Sequence, residues 1–307
     1  MKRSSGYTER RGRQKNNRTG EKAVLAVVAG LLLVLLFLDR GICVKADDQK
    51  LLMSEDIQRI ITRGELVVAI PAQDLLVFFE EADGQYSGVD VDLAQGIADS
   101  LGVKLTYDRS SETYDDMTEK LQKREVDLII ATYSMTSQRA KYVTFSDPYL
   151  TIHMGLMMNK QFLVRKEIEG NPLPYLKEHK VKLTAVKGTS HVRLLKELFP
   201  EAEVVEAKDY EDAYRMVRNG EAAGFLCGEL EFFSAYLKDP SLRIYTSVFT
   251  FQDVNDQFAV GVSQETPQLL NYINTYLRTS KLETKQQVEE RYVKAGKKNG
   301  KDKKGTG

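Results

Sequence analysis

Cysteine and histidine are nearly missing from this chain of 307 residues, which has two of one and three of the other. Cys43 and Cys227 lie far apart, and His153, His179 and His191 stand isolated. That excludes zinc, haem and redox spacings, and with Cys43 abutting an apolar run no internal disulfide is expected. There is no phosphate loop, no G-x-G-x-x-G turn and no G-x-S-x-G elbow. Ser190 and His191 are neighbours, but adjacent side chains rarely face each other as nucleophile and base. No metal and no cofactor is implied.

Net charge is also missing, with 44 basic and 44 acidic groups, yet the balance is uneven. Residues 1–22 hold eight Lys/Arg against Glu9 and Glu21, and residues 294–307 hold six Lys against Asp302. The remaining 30 basic and 41 acidic groups leave residues 23–293 at −11. An acidic body excludes a nucleic-acid grip, which needs a positive folded surface. The basic ends read as solvated, unfolded tails. With 42% hydrophobic residues, the body is long enough for one large domain or two ordinary ones.

Ala23–Leu38 is a sixteen-residue run without a charge behind the basic segment. As a helix it would span about 24 Å, against a hydrocarbon core of about 30 Å, and Lys22 and Arg40 could snorkel across the difference. Positive charge before the run puts residues 1–22 in the cytoplasm and the rest outside, at the cell surface or in the periplasm. Val44-Lys45-Ala46 has signal-peptidase spacing. A signal anchor and a cleaved signal peptide are therefore both open, with anchoring by residues 23–38 preferred. Residues 39–49 read as a linker.

The body alternates strands and helices. A short amphipathic helix is expected within Leu51–Arg63 and a buried strand at Leu66–Ile70. Asp90 reads as the cap of a helix with the stripe Val89, Leu93, Ile97 and Leu101, ended by Gly102. Strand, helix and strand follow at Lys104–Tyr107, Tyr114–Lys123 and Val126–Ala131. Asp147-Pro148 reads as a turn. A second series runs from Lys182 to Tyr245, with Arg243–Tyr245 as a strand, then a strand at Gln257–Val262 and helices at Pro267–Arg278 and Lys285–Lys294. The pattern is α/β with a mainly parallel sheet and two lobes, the ligand lying in the crevice between them.

Five segments resemble a known family, the periplasmic amino-acid-binding proteins, extracellular solute-binding proteins of family 3. They are Gly88-Val89-Asp90-Val91-Asp92-Leu93-Ala94, Val126-Asp127-Leu128-Ile129, Met135-Thr136-Ser137-Gln138-Arg139-Ala140, Val143-Thr144-Phe145-Ser146-Asp147-Pro148-Tyr149 and Val186-Lys187-Gly188-Thr189-Ser190. The resemblance spans about Gly64 to Val293. It implies the type 2 periplasmic-binding fold, with lobe 1 at residues 50–154 plus 257–293 and lobe 2 at 155–256. Hinges would lie near Thr151–Met154 and Asp256–Ala259.

Arg139 is the candidate carboxylate anchor, because a guanidinium fork matches a carboxylate bidentately. The resemblance puts Thr132 and Ser134 beside it, and Thr189 or Ser190 opposite. Tyr114 and Phe78 (or Phe79) match the aromatic walls. The alternative for Arg139 is a plain surface ion pair. Two departures stand out. The lobe-2 acid that holds a ligand's ammonium should follow Cys227, where Gly228 stands, with Glu229 next as the candidate substitute. An aromatic-proline pair before Phe78 is replaced by Asp74-Leu75-Leu76-Val77.

The resemblance implies a monomeric, non-enzymatic receptor of an amino acid or small carboxylate, serving an ABC permease. A tethered sensor signalling through a membrane partner is the alternative. Another is a cyclohexadienyl dehydratase-like lyase with Glu229 or Glu231 as proton donor.

Overall fold

The computed structural model describes residues 53–302 apart from Leu76, with side chains as far as Lys294. The basic segment 1–22, the apolar run 23–38, the linker with its cleavage motif and residues 303–307 lie outside the described residues. Among the described residues no helix is long and apolar enough to cross a membrane.

Helix α1 (Glu55–Arg63) stops where Gly64, at φ 78°, folds its N–H back onto the carbonyls of Ile60 and Ile61. Strand β1 (Glu65–Ala69) leads to a small hairpin, β2 (Glu80–Ala82) and β3 (Gln85–Ser87), and then to α2 (Val89–Leu101). Gly88 caps α2 at φ 132°, and a Cβ there would overlap the Phe78 carbonyl, which accepts the Asp90 N–H. Asp90 is therefore not the cap expected from the sequence. It sits inside the first turn, fully buried and turned toward the interior.

Strand β4 (Lys104–Asp108), helix α3 (Tyr114–Gln122) and the short β5 (Leu128–Ile129) complete the first series. Both β4 and β5 pair with β1 in parallel. Asp127, just before β5, is buried and binds Arg59, Arg63 and the Val67 N–H, fastening α1 to the sheet.

Strand β6 (Thr144–Asn159) then carries the chain away. Helices α4 (Lys160–Arg165) and α5 (Leu173–Glu178), strand β7 (Lys182–Val186) and helix α6 (Ser190–Leu198) follow. Next come β8 (Glu203–Ala207), α7 (Tyr210–Arg218), β9 (Gly224–Gly228) and α8 (Glu229–Lys238). Leu242–Tyr245 is a helical turn, α9, where the sequence suggested a strand; the strand begins one residue later, as β10 (Thr246–Val262). Its return runs antiparallel to β6 over nearly the whole length of both. Helices α10 (Pro267–Thr279) and α11 (Lys285–Asp302) close the described chain. The last helix runs past Lys294, where the sequence suggested an unfolded tail, to Asp302, through Gly296, Asn299 and Gly300, whose helix propensity is low.

The sheet order is β4-β1-β5-β10-β6-β9-β7-β8. Separate apolar cores lie toward its two ends. One joins Ile60, Leu66, Ile97, Phe258 and Ile273, and another joins Leu156, Leu183, Leu195 and Phe199. Asp147-Pro148 belongs to β6 rather than to a turn. Pro148 pairs with Ala259 where the register slips, and a bulge tolerates a residue that has no N–H.

Candidate functional site

Beyond β5 the chain must turn, and Thr132 does so in the left-handed region at φ 47°, unusual for a β-branched residue. Two contacts hold it there. The Asp90 carboxylate accepts its N–H at 2.7 Å, and its hydroxyl lies 3.0 Å from the Tyr114 hydroxyl. Tyr149 donates to the other Asp90 oxygen at 2.7 Å. Burial lifts the Asp90 carboxyl to about 7 despite both donors.

Arg139 opens a 3-10 turn (Arg139–Lys141), its N–H bound by the Thr136 hydroxyl at 3.2 Å. Its guanidinium carbon lies 4.7 Å from the Tyr114 ring centre and 4.5 Å from that of Tyr133. Nη1 donates to the Ser134 carbonyl at 3.1 Å. Arg139 is 8% exposed, and among the described residues no carboxylate pairs with it. A buried cation held by two rings and a carbonyl is poised for an anion; the surface ion pair weighed as its alternative is not formed.

From the second half of the sheet, Ser190 at the start of α6 donates to the Ser134 hydroxyl at 3.0 Å. Ser134 in turn donates to Asp256 at 2.7 Å, and the same Asp256 oxygen lies 3.3 Å from Nε2 of His191. Thr189 also lines this cavity, although its hydroxyl is taken by the Val186 carbonyl at 2.7 Å.

Tyr114, Thr132, Ser134, Arg139, Thr189, Ser190, His191, Tyr210, Glu231 and Phe258 enclose about 10 Å³, room for roughly one water molecule. An amino acid enters only if the two sides part. Tyr114, Thr189 and Tyr210 also border an outer chamber of about 740 Å³, reaching to Phe79, Glu112 and Glu206. A hollow of about 730 Å³ lies elsewhere, between Lys177 and Phe251, away from Arg139.

Six of the eight residues expected from the sequence thus line one cavity: Thr132, Ser134, Arg139, Thr189, Ser190 and Tyr114. Phe78 does not. It is fully buried in the core, edge-on to Phe258 at 5.6 Å, while Phe79 borders the outer chamber. Glu229 does not either. Its carboxylate accepts the His153 N–H at 2.8 Å and meets Lys285 at 2.9 Å, on the side of α11.

The acid that does reach the cavity is Glu231, fully buried with neither carboxylate oxygen hydrogen-bonded. Burial raises it to about 7. The sequence reading named Glu231 only as a possible proton donor, and it assigned no ligand role to His191, Tyr210 or Phe258, which also line the cavity. The glycine at 228 followed by a glutamate one helical turn later was the available signal for Glu231.

Comparison with known proteins agrees with the fold. Residues 66–295 match the model of the bacterial extracellular solute-binding proteins, family 3. The glutamine-binding protein of Geobacillus stearothermophilus is 27% identical over 226 residues, 73% of this chain and 80% of that protein. The putative ABC transporter arginine-binding protein 2 of Escherichia coli is 27% identical, over 66% of this chain and 79% of its own. Among solved structures, the ancestral amino acid-binding protein AncCDT-1, a precursor of cyclohexadienyl dehydratase, superimposes with a TM-score of 0.64 at 27% identity. It covers 78% of this chain and 98% of its own. Holo ArgBP from T. maritima gives 0.59 at 26% identity, covering 72% and 92%.

Proposed function

We propose, for a chain that belongs to the bacterial extracellular solute-binding proteins of family 3, that the Arg139 cleft captures an amino acid or other small carboxylate outside the membrane and hands it to an ABC permease. One observation carries the reading: a buried arginine with no acid partner among the described residues, walled by two tyrosines and bordered by the hydroxyls of Thr132, Ser134 and Ser190. A carboxylate there would gain charge-assisted hydrogen bonds of ~1.5–3 kcal/mol each. The names of the relatives, glutamine-binding and arginine-binding, make those two amino acids the first solutes to try.

A thermal-shift screen of the chain against L-glutamine, L-arginine, the other amino acids and small carboxylates tests the proposal. A solute at one hundred times its dissociation constant raises native stability by ~2.7 kcal/mol. No shift with any of them overturns the reading. The importer role is separated from the tethered-sensor alternative by uptake: solute import lost on deletion of the gene supports the permease reading.

The lyase alternative has one supporting observation, the buried Glu231 with its raised carboxyl, which could protonate a leaving group. Solutes recovered unchanged after incubation with the protein sink it.

A further inference from the structure

Val164 is 76% exposed and Ile244 68%, and neither joins any of the apolar cores. They are the two most exposed large apolar side chains among the described residues, and the fold brings them to one corner. Lys160, one turn before Val164 on α4, donates to the Arg243 carbonyl at 2.6 Å and so ties α4 to α9, where Ile244 is the next residue. Tyr245, 38% exposed, follows beneath Arg218, whose guanidinium carbon lies 4.9 Å from the ring centre. The corner stands at the end of the β6–β10 ladder where Asn159 pairs with Thr246. None of these residues borders the Arg139 cavity or its outer chamber.

Positive charge gathers at the same corner. Lys160, Arg165 and Arg243 are exposed, and among the described residues none of the three meets a carboxylate. Arg165 donates within its own helix, to the Gln161 carbonyl at 3.3 Å, and Arg243 lies 4.2 Å from the Tyr236 ring centre. Of the neighbouring acids, Asp239 is held by Arg218 at 3.6 Å, and Glu167 and Glu169 follow the end of α4. Unpaired cations around bare apolar side chains, on an otherwise acidic body, mark a surface made to meet something.

Three apolar side chains are too few for a stable protein interface, which takes about 800 Å² from each partner. A bilayer asks for less. Apolar side chains sink below the headgroups while tyrosine and the basic groups stay among them, and each cation adds its own attraction to an anionic surface. We propose that the α4–α9 corner is a membrane-docking patch, which rests this end of the molecule on a bilayer rich in anionic headgroups without engaging the residues of the solute cavity.

The chain has no tryptophan, so Ile244→Trp places a single reporter in the patch, and Val164→Trp supplies a second chain if the first does not fold. The full-length variant is mixed with phosphatidylcholine vesicles containing increasing phosphatidylglycerol. Its emission should move to shorter wavelength and be quenched by brominated lipid as the anionic fraction rises, and return when salt is added. Tyr142→Trp, made separately, replaces a 49% exposed residue beside the opposite end of β6. It should keep its aqueous emission, which separates docking of the patch from attachment through any other segment. Adding Lys160→Gln, Arg165→Gln and Arg243→Gln to the Ile244→Trp chain should lower the docked-to-free ratio about 5-fold per cation, about 100-fold together, with circular dichroism checking the fold. Unmoved emission at 244 and 164, an equal response to pure phosphatidylcholine, or a matching shift at 142 overturns the proposal. So does a shift that follows protein concentration without vesicles, the mark of a second copy on the patch.

Discussion

The carboxylate of Asp90 and the backbone N–H of Thr132, 42 residues apart in the chain, meet at 2.7 Å. This contact joins the first turn of a core helix to the loop that lines the cleft. Tyr149 completes the arrangement by donating to the second oxygen. Tyr149→Phe removes one of two donors that favour ionised Asp90, so the Asp90 carboxyl should rise further above about 7. The bond is stronger to the anion than to the neutral acid, and the resulting loss of ~1–2 kcal/mol should therefore grow as pH rises through 7. Urea melts at pH 6 and pH 8 check the sign; an equal loss at both refutes it.

Glu231 makes the opposite signature available by substitution. Its folded carboxyl stands near 7, above its ordinary 4.5. The folded chain therefore keeps a proton that the unfolded chain releases between those values, and stability from this group is lost as pH rises from about 4.5 to 7. Glu231→Gln removes the loss. Relative to the parent, the variant should gain roughly 1–3 kcal/mol between pH 5 and pH 7.5, read from melts of both proteins at the two pH values.

Asp127 has a different task. Its buried carboxylate is shared by Arg59, Arg63 and the Val67 N–H, and the two arginines are about one-third exposed. Asp127→Ala should destabilise by roughly 2–4 kcal/mol, with solute affinity at saturating folded protein unchanged. Chemical denaturation and calorimetry together separate the two effects.

Arginine at 139 cannot be exchanged for another cation. Lysine lacks the planar fork and the stacking that Tyr114 and Tyr133 provide, so Arg139→Lys should already bind poorly. Arg139→Ala should cost ~2–5 kcal/mol, about 30- to several-thousand-fold in affinity, and Ser134→Ala ~1–3 kcal/mol. Isothermal calorimetry on the folded variants gives the order directly.

Glu229, in contrast, braces His153 and Lys285. Glu229→Gln should change solute affinity by less than about 3-fold, equivalent to ~0.7 kcal/mol. A loss as large as that of Arg139→Ala would put Glu229 back in the cleft.

How far the sequence could be read depended on whether the signal was local. The α2 stripe of Leu93, Ile97 and Leu101, and the glycine that ends that helix, follow from spacing alone. The Arg139 neighbourhood was legible because its motif is short. Asp90 was misread as a cap because its real partners, Thr132 and Tyr149, are brought to it only by the fold. The exchange of Glu229 for Glu231 had the same origin. Next to a missing acid the adjacent glutamate looks nearest, but a helix turns neighbouring positions about 100° apart, and only the residue one turn on returns to the side of Gly228.

The paired run of β6 and β10 has a consequence for biosynthesis. Everything between Lys160 and Tyr245 is inserted between two strands that lie side by side, and β5, parallel to β1 on one edge, pairs on the other with Gly261 and Val262. The inserted half draws on β10 only through its opening stretch, including Phe251, whereas the earlier half takes Gly261 and Val262 and the helices that follow. The last residues of the second half's core, such as Phe251, therefore leave the ribosome before the last of the first half's, such as Val262, Ile273 and Val288.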